Sequence, residues 1–166
     1  MWSAAASTGE EPYTIVLTLN GVLPLTKIDF KVLATDISTK VLAIAQKGRY
    51  KKNDIQDIPF RYHSSEYFCP VADDSSMIEI NPSLKRMVSF CRINLSATPF
   101  PMKGPFDAIF CRNVMIYFDE RVRTNLLLEI HRLLKVGGYL FIGSSESLAG
   151  LSVPFKSIGP SIYQRG

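Results

Sequence analysis

Apolar residues along this chain alternate between short solid runs and longer stretches with an apolar position every three or four residues. The run Ala108-Ile109-Phe110-Cys111 stops at the polar pair Arg112-Asn113, and the mostly apolar Val114-Met115-Ile116-Tyr117-Phe118 follows. A run so short, just ahead of a clear helix, predicts a buried strand of a parallel sheet over Phe106–Cys111. The helix is predicted over Asp119 to Leu134, where Val122, Leu126, Leu127, Ile130, Leu133 and Leu134 line one face. Gly137-Gly138 is expected to end it, and Tyr139 to Ile142 to form the next strand.

Upstream, Trp2 to Ala5 reads as a truncated strand and Ser7-Thr8-Gly9 as a turn. Glu10-Glu11-Pro12 then opens a helix running to about Asn20, since acids and proline suit a first helical turn. A second strand is predicted over Phe30 to Ala34, ending at Thr35-Asp36. Ser38 can cap a helix over Thr39 to Lys47 that Gly48 stops. From Tyr50 to about Arg92 the alternation breaks, with Pro59, Pro70 and Pro82 and the turn cluster Asp73-Asp74-Ser75-Ser76. Short strands are expected at Ser76 to Asn81 and Met87 to Ile93, paired antiparallel in a small excursion from the main sheet. Asn94 leads a loop through Pro99, Pro101 and Pro105, and Ser161 to Gln164 is expected as a last strand.

This alternation predicts an α/β fold, a doubly wound sheet with right-handed crossovers. The chain of 166 residues is long enough for one domain, 1–166, carrying a small inserted antiparallel β-subdomain over 61–92. Composition changes little: 46% hydrophobic and 20% charged is ordinary for a soluble protein. No apolar run approaches the roughly 20 residues of a membrane helix, and the N-terminus lacks the basic and apolar regions of a secretory signal. Cys69, Cys91 and Cys111 are odd in number and lack CxxC spacing, so they read as reduced thiols of a cytoplasmic protein, with no disulfide or zinc. A net charge of +4 favours an acidic partner, but no basic stripe interleaved with aromatics points to nucleic acid.

In open α/β sheets, ligands bind at the carboxyl edge of the strands. Arg112, Asn113 and Tyr117 are predicted there. The phosphate-type GxGxxG pattern is absent, and only Gly9 sits in the first strand–helix turn. That disfavours a dinucleotide and suits S-adenosylmethionine, which has no pyrophosphate. A carboxylate in the turn, Glu10 or Glu11, can bind an amino group or simply complement the helix dipole. Asp36, 25 residues beyond Glu11, can accept from ribose hydroxyls or cap the next helix. Asn94 and Asn113 can pair with an adenine edge, while Arg112 can fork a carboxylate or make a surface ion pair. Tyr117 can donate to a substrate oxygen or be a core residue with a wet tip. His63 and His131 have no partners at a metal spacing, and His131 is expected to be solvent-exposed.

With these residues in view, a family resemblance emerges. Trp2–Ile15 (WSAAASTGEEPYTI), Ala34–Ser38 (ATDIS), Ile93–Leu95 (INL), Phe106–Asp119 (FDAIFCRNVMIYFD) and Gly138–Leu148 (GYLFIGSSESL) resemble the CheR-type chemotaxis receptor methyltransferases, in family order. The resemblance implies a Rossmann-like S-adenosylmethionine-dependent fold. It also implies esterification of glutamate carboxylates on bacterial chemoreceptors, giving glutamate 5-O-methyl esters and S-adenosylhomocysteine. By motif, Glu11 is implied to contact the cofactor's methionine part, Asp36 the ribose, and Asn94 with Leu95 the adenine. Arg112 and Asn113 are implied near the transferred methyl, and Tyr117 facing the incoming carboxylate.

Family members carry a helical domain ahead of the first motif, and by resemblance it is expected to be missing here. The stretch 61–92 shows little specific likeness, and its turn Val71–Ser76 has no glycine, so a grip on a receptor C-terminal peptide is not implied. Two alternatives are a non-catalytic cofactor- or receptor-binding remnant and a methyltransferase of small molecules or nucleic acid.

Overall fold

The computed structural model describes residues 1–22 and 29–166. The elements in chain order are β1 (Trp2–Ser3), α1 (Glu10–Val22), β2 (Val32–Asp36), α2 (Thr39–Lys47), β3 (Arg49–Lys51), β4 (Phe68–Pro70), β5 (Met77–Ile80), α3 (Pro82–Lys85), β6 (Val88–Arg92), β7 (Phe106–Cys111), α4 (Glu120–Leu133), β8 (Leu134–Ile142), β9 (Phe155–Gly159) and β10 (Ile162–Arg165). The main sheet has seven strands in the order β6-β2-β1-β7-β8-β10-β9. From β6 to β8 the neighbours are parallel, whereas β10 runs antiparallel to both β8 and β9. The chain builds outward from β1 to β2 and β6, then returns to lay β7 on the other side of β1. That reversal makes a crevice at the carboxyl ends of β1 and β7, where such sheets take ligands. No helix among the described residues is long and apolar enough to cross a membrane.

Burial on both faces explains the solid apolar runs. In β7, Ile109 and Cys111 join one apolar cluster, with α4 and β8, while Phe110 packs against the other, with α1 and β2. The Asp119 side chain caps α4 by accepting from the Val122 N–H at 2.8 Å. Leu126, Leu127, Ile130 and Leu133 on α4 are fully buried. Trp2, also fully buried, donates from Nε1 to Thr35 Oγ1 at 2.9 Å and ties β1 to β2.

Three expectations need correction. The segments 76–81 and 87–93 do not pair with each other. β5 is the centre of a separate antiparallel sheet ordered β3-β5-β4, while β6 is a parallel edge strand of the main sheet, from Val32↔Val88 to Asp36↔Arg92. The small sheet draws its strands from 49–80: β4 and β5 fall inside the expected 61–92, and β3 lies ahead of it. Its outer strands β3 and β4 have three residues each, too short to show an alternation. The separation is made by α3, which Asn81 caps through Ser83 N and Leu84 anchors in the core.

Gly137-Gly138 does not end α4 either: the helix stops at Leu133, and Leu134 is already extended. The pair lies inside β8, where Gly137 has φ +76° beside an irregular register with β7. Finally, β9 was not legible, because it is an edge strand of largely exposed residues with no clean alternation of burial.

Candidate functional site

At the end of β1 the chain passes through Ala4-Ala5-Ala6 into a tight turn. Ser7 has a left-handed φ of 47°, and the Gly9 N–H returns to Ala6 O at 2.9 Å. The turn is fastened to β2: Ala6 N donates to Thr35 O at 2.8 Å and Ser7 N to Asp36 Oδ2 at 3.0 Å. The other oxygen of Asp36 accepts from Ser38 N at 2.9 Å, while Ser38 itself caps α2. Asp36 is thus held by two backbone donors, one from each side, and does not cap the helix. A cleft of about 230 Å³ opens beside it, lined by Ala4, Ala5, Asp36, Ile37, Ile93, Asn94, Leu95, Val114, Tyr117 and Phe118.

The expected residues fall into two groups at this edge. Asp36, Asn94, Leu95 and Tyr117 line the cleft together. Leu95 is buried, whereas the Asn94 side chain accepts from Ser96 N and Ser96 Oγ. Tyr117 is 78% exposed at the lip, so it is not a core residue. Glu11, Arg112 and Asn113 stand beside the cleft and do not line it. Glu11 Oε1 accepts from Ser3 Oγ at 2.7 Å, and its Oε2 pairs with Arg112 NH1 at 3.3 Å. Arg112 therefore makes an ion pair, as one reading allowed, with a carboxylate that was itself a candidate. Burial pushes the Glu11 carboxyl above its ordinary pKa, against the opposing pull of Ser3 and Arg112. Glu10 is the exposed acid and accepts from Thr8 Oγ1.

Asn113 has a left-handed φ of 58°, and its side-chain amide faces the end of β8 near Gly143. Glu146, which sequence reasoning passed over, organises this region. Its carboxylate accepts from Gly143 N at 2.7 Å, Asn113 N at 2.9 Å, Val114 N at 3.1 Å and Met115 N at 2.8 Å. The available signal was an acid just past a strand end, in Gly143-Ser144-Ser145-Glu146. Between these groups, burial pushes the Cys111 thiol far up, and the charges of Glu146 and Glu11 push it further, so it stays neutral. His131 is half-buried edge-on against Phe155 at 5.4 Å, and not free in solvent as expected.

A side chain of the small sheet reaches this edge. Tyr50 on β3 donates from its hydroxyl to Thr8 O at 2.9 Å. A Cβ on Gly9 would stand 2.7 Å from that hydroxyl oxygen, so the phenol occupies the space above the turn.

A family model described as CheR methyltransferase, SAM binding domain, matches residues 1–163. The chain belongs to that family. Among curated relatives of CheR type, a chemotaxis protein methyltransferase of Borreliella burgdorferi is 42% identical over 167 residues, covering 99% of this chain. One of Escherichia coli is 39% identical over 163 residues, covering 98% of this chain. The chain spans only 58% and 57% of those two relatives. Solved structures confirm the fold: a TehB-like SAM-dependent methyltransferase from Corynebacterium glutamicum superposes with TM-score 0.55 at 14% identity, covering 99% of this chain and 79% of that one. A glycopeptide N-methyltransferase, MtfA, complexed with sinefungin gives 0.53 at 18% identity, covering 85% of this chain and 44% of that one.

S-adenosylmethionine is the cofactor of the CheR domain, and the residues present fit it. A carboxylate aligned by two backbone donors stands at an apolar-walled cleft, and a second, half-buried carboxylate stands one strand away.

Proposed function

We propose that this domain methylates glutamate side-chain carboxylates on bacterial chemoreceptors, in the cytoplasm, forming glutamate 5-O-methyl esters. The observation that carries the reading is the meeting, at the carboxyl edge of β2, β1 and β7, of the cleft at Asp36 with the Glu11–Arg112 pair. The names of the curated relatives support the chemotaxis role.

In this reading Glu11 accepts from the cofactor's amino group and Asp36 from its ribose. Asn94 and Leu95 border the adenine, and Arg112 and Asn113 stand near the methyl. When bound, the cofactor supplies an electrophilic methyl group on a sulfonium. A glutamate carboxylate has an ordinary pKa of about 4.3 and is already ionised at neutral pH, so no side chain here has to remove a proton. Arg112 contacts Glu11 through NH1, and its fork can also steady an arriving anion. Tyr117, exposed at the lip, donates from its hydroxyl to the same carboxylate. Ile37, Leu95 and Phe118 wall the cleft against water. A water-poor, aligned setting favours a reaction in which opposite charges disperse.

The test is twofold. Calorimetry with S-adenosylhomocysteine should show one site, lost on replacing Asp36 with Ala. Labelled methyl groups should enter receptor-containing membranes in base-labile form. Binding without base-labile label would leave a cofactor-binding domain with no glutamate esterification and refute the proposal.

A further inference from the structure

We infer that Glu146 is a positioning residue, whose carboxylate holds the segment 112–115 in the shape that accepts the cofactor and presents Tyr117. This deepens the methyltransferase reading and rests on it. Arg112, Asn113 and Val114 follow β7 without an element of their own, and Asn113 is in a left-handed conformation that a non-glycine residue adopts only at a cost. Three consecutive N–H groups there, of Asn113, Val114 and Met115, all point at one carboxylate, at 2.9, 3.1 and 2.8 Å. Aimed together, they hold the turn by charge-assisted bonds.

The carboxylate is fixed from its own side as well. Gly143 N donates to Oε2 at 2.7 Å, and the Glu146 N–H returns to Gly143 O at 3.0 Å. Leu148, two residues on, is buried in the core. The anchor is thus the end of β8, and the load is the turn leaving β7. Gly143 is required sterically, since a Cβ there would lie 2.8 Å from Glu146 Oε2 and 3.0 Å from Asn113 N. The cleft wall at Val114 and the lip at Tyr117 sit directly on the held turn, where Met115–Tyr117 forms a single 3-10 turn.

Glutamine at 146 keeps the shape but turns one accepting oxygen into a donor. Either Asn113 and Gly143, or Val114 and Met115, then face an N–H₂ group. The experiment compares wild type with Glu146→Gln by calorimetry with S-adenosylhomocysteine, methyl-transfer kinetics, and amide shifts of Asn113, Val114, Met115 and Gly143. We expect dissociation constants raised about tenfold, kcat lowered about tenfold or more, and those amide signals moved upfield.

A variant with a lower melting temperature but unchanged kcat, dissociation constant and amide shifts overturns the assignment. Should Glu146→Gln fail to fold, Gly143→Ala displaces the carboxylate while keeping its charge. It should weaken S-adenosylhomocysteine binding about tenfold, and unchanged binding overturns the assignment. A wild-type chain that does not take S-adenosylhomocysteine at all overturns the cofactor reading, and this assignment with it. Tight wild-type binding with an indifferent variant overturns the assignment alone.

Discussion

Replacing Glu11 with glutamine separates what the site does for the cofactor from what it does for the fold. In the structure the Glu11 carboxylate has two partners, Ser3 Oγ at 2.7 Å and Arg112 NH1 at 3.3 Å. Glutamine keeps one acceptor oxygen, and the Ser3 hydroxyl can rotate to accept from the new amide. The contact with Arg112 loses its charge, but that arginine is 47% exposed and such a pair is worth about 0–1 kcal/mol. Against this, the half-buried carboxylate no longer has to be kept ionised.

Because burial raises the Glu11 pKa above its ordinary 4.5, the ionised group opposes folding. The stability tied to its protonated form is fully present below pH 4.5 and is lost as the pH rises through the raised folded value. Without cofactor, Glu11→Gln should therefore melt at the wild-type temperature or above it at pH 7, and the gain should vanish on acidification below the ordinary carboxylate range. Cofactor affinity should move the other way. One hydrogen bond to a charged amino group is worth about 1.5–3 kcal/mol, or roughly ten- to a hundredfold in dissociation constant. Calorimetry with S-adenosylhomocysteine and melting scans between pH 4 and 8 read both quantities. Binding within twofold of wild type, or a variant clearly less stable at pH 7, would overturn this role for Glu11.

Tyr117→Phe should lower kcat about tenfold or more while leaving the S-adenosylhomocysteine dissociation constant within about twofold, because the ring stays at the lip and only the hydroxyl is lost; steady-state kinetics with receptor membranes check it. Trp2→Ala should cost about 3–5 kcal/mol in urea unfolding, since a fully buried ring wedged between Phe100 and Phe106 leaves a cavity beside β1. Glu129→Ala should cost about 1–3 kcal/mol at pH 7, because the Phe100 N–H loses its acceptor in a buried setting. The Arg132 guanidinium holds the Glu129 carboxyl below its ordinary pKa, with the Phe100 N–H adding to it, so that stability is present above the ordinary value. The deficit of Glu129→Ala should therefore shrink as the pH falls through the depressed value.

The parts of the fold legible in the sequence were those buried on a regular period. The α4 stripe through Leu126, Ile130 and Leu133 and the solid run of β7 each carry one signal, and each folds as that signal says. What escaped was decided between distant segments. β6 is recognisable as a strand, but only its fit beside Val32–Asp36 assigns it to the main sheet. Gly137-Gly138 looks the same ending a helix or kinking a strand, and the ladder with β7 decides.

The candidate site divides in the same way. As candidates, Asp36 and Arg112 were legible because they close apolar runs at strand ends, and Glu11 because it stands in the first turn of the helix after β1. That Arg112 would pair with Glu11 was not, since their strands are brought side by side only by the reversal of strand order. Glu146 lay unread in a serine-rich turn because its partners are backbone groups, which leave no mark in residue types.

The phenol of Tyr50 over Gly9 bears on how such a fold is inherited. It makes the insert and the first loop co-dependent parts. A foreign insert grafted onto this scaffold must bring its own aromatic hydroxyl to Thr8, or leave a vacancy over the loop. Recombination that removes the phenol should yield folded chains with a slack first loop.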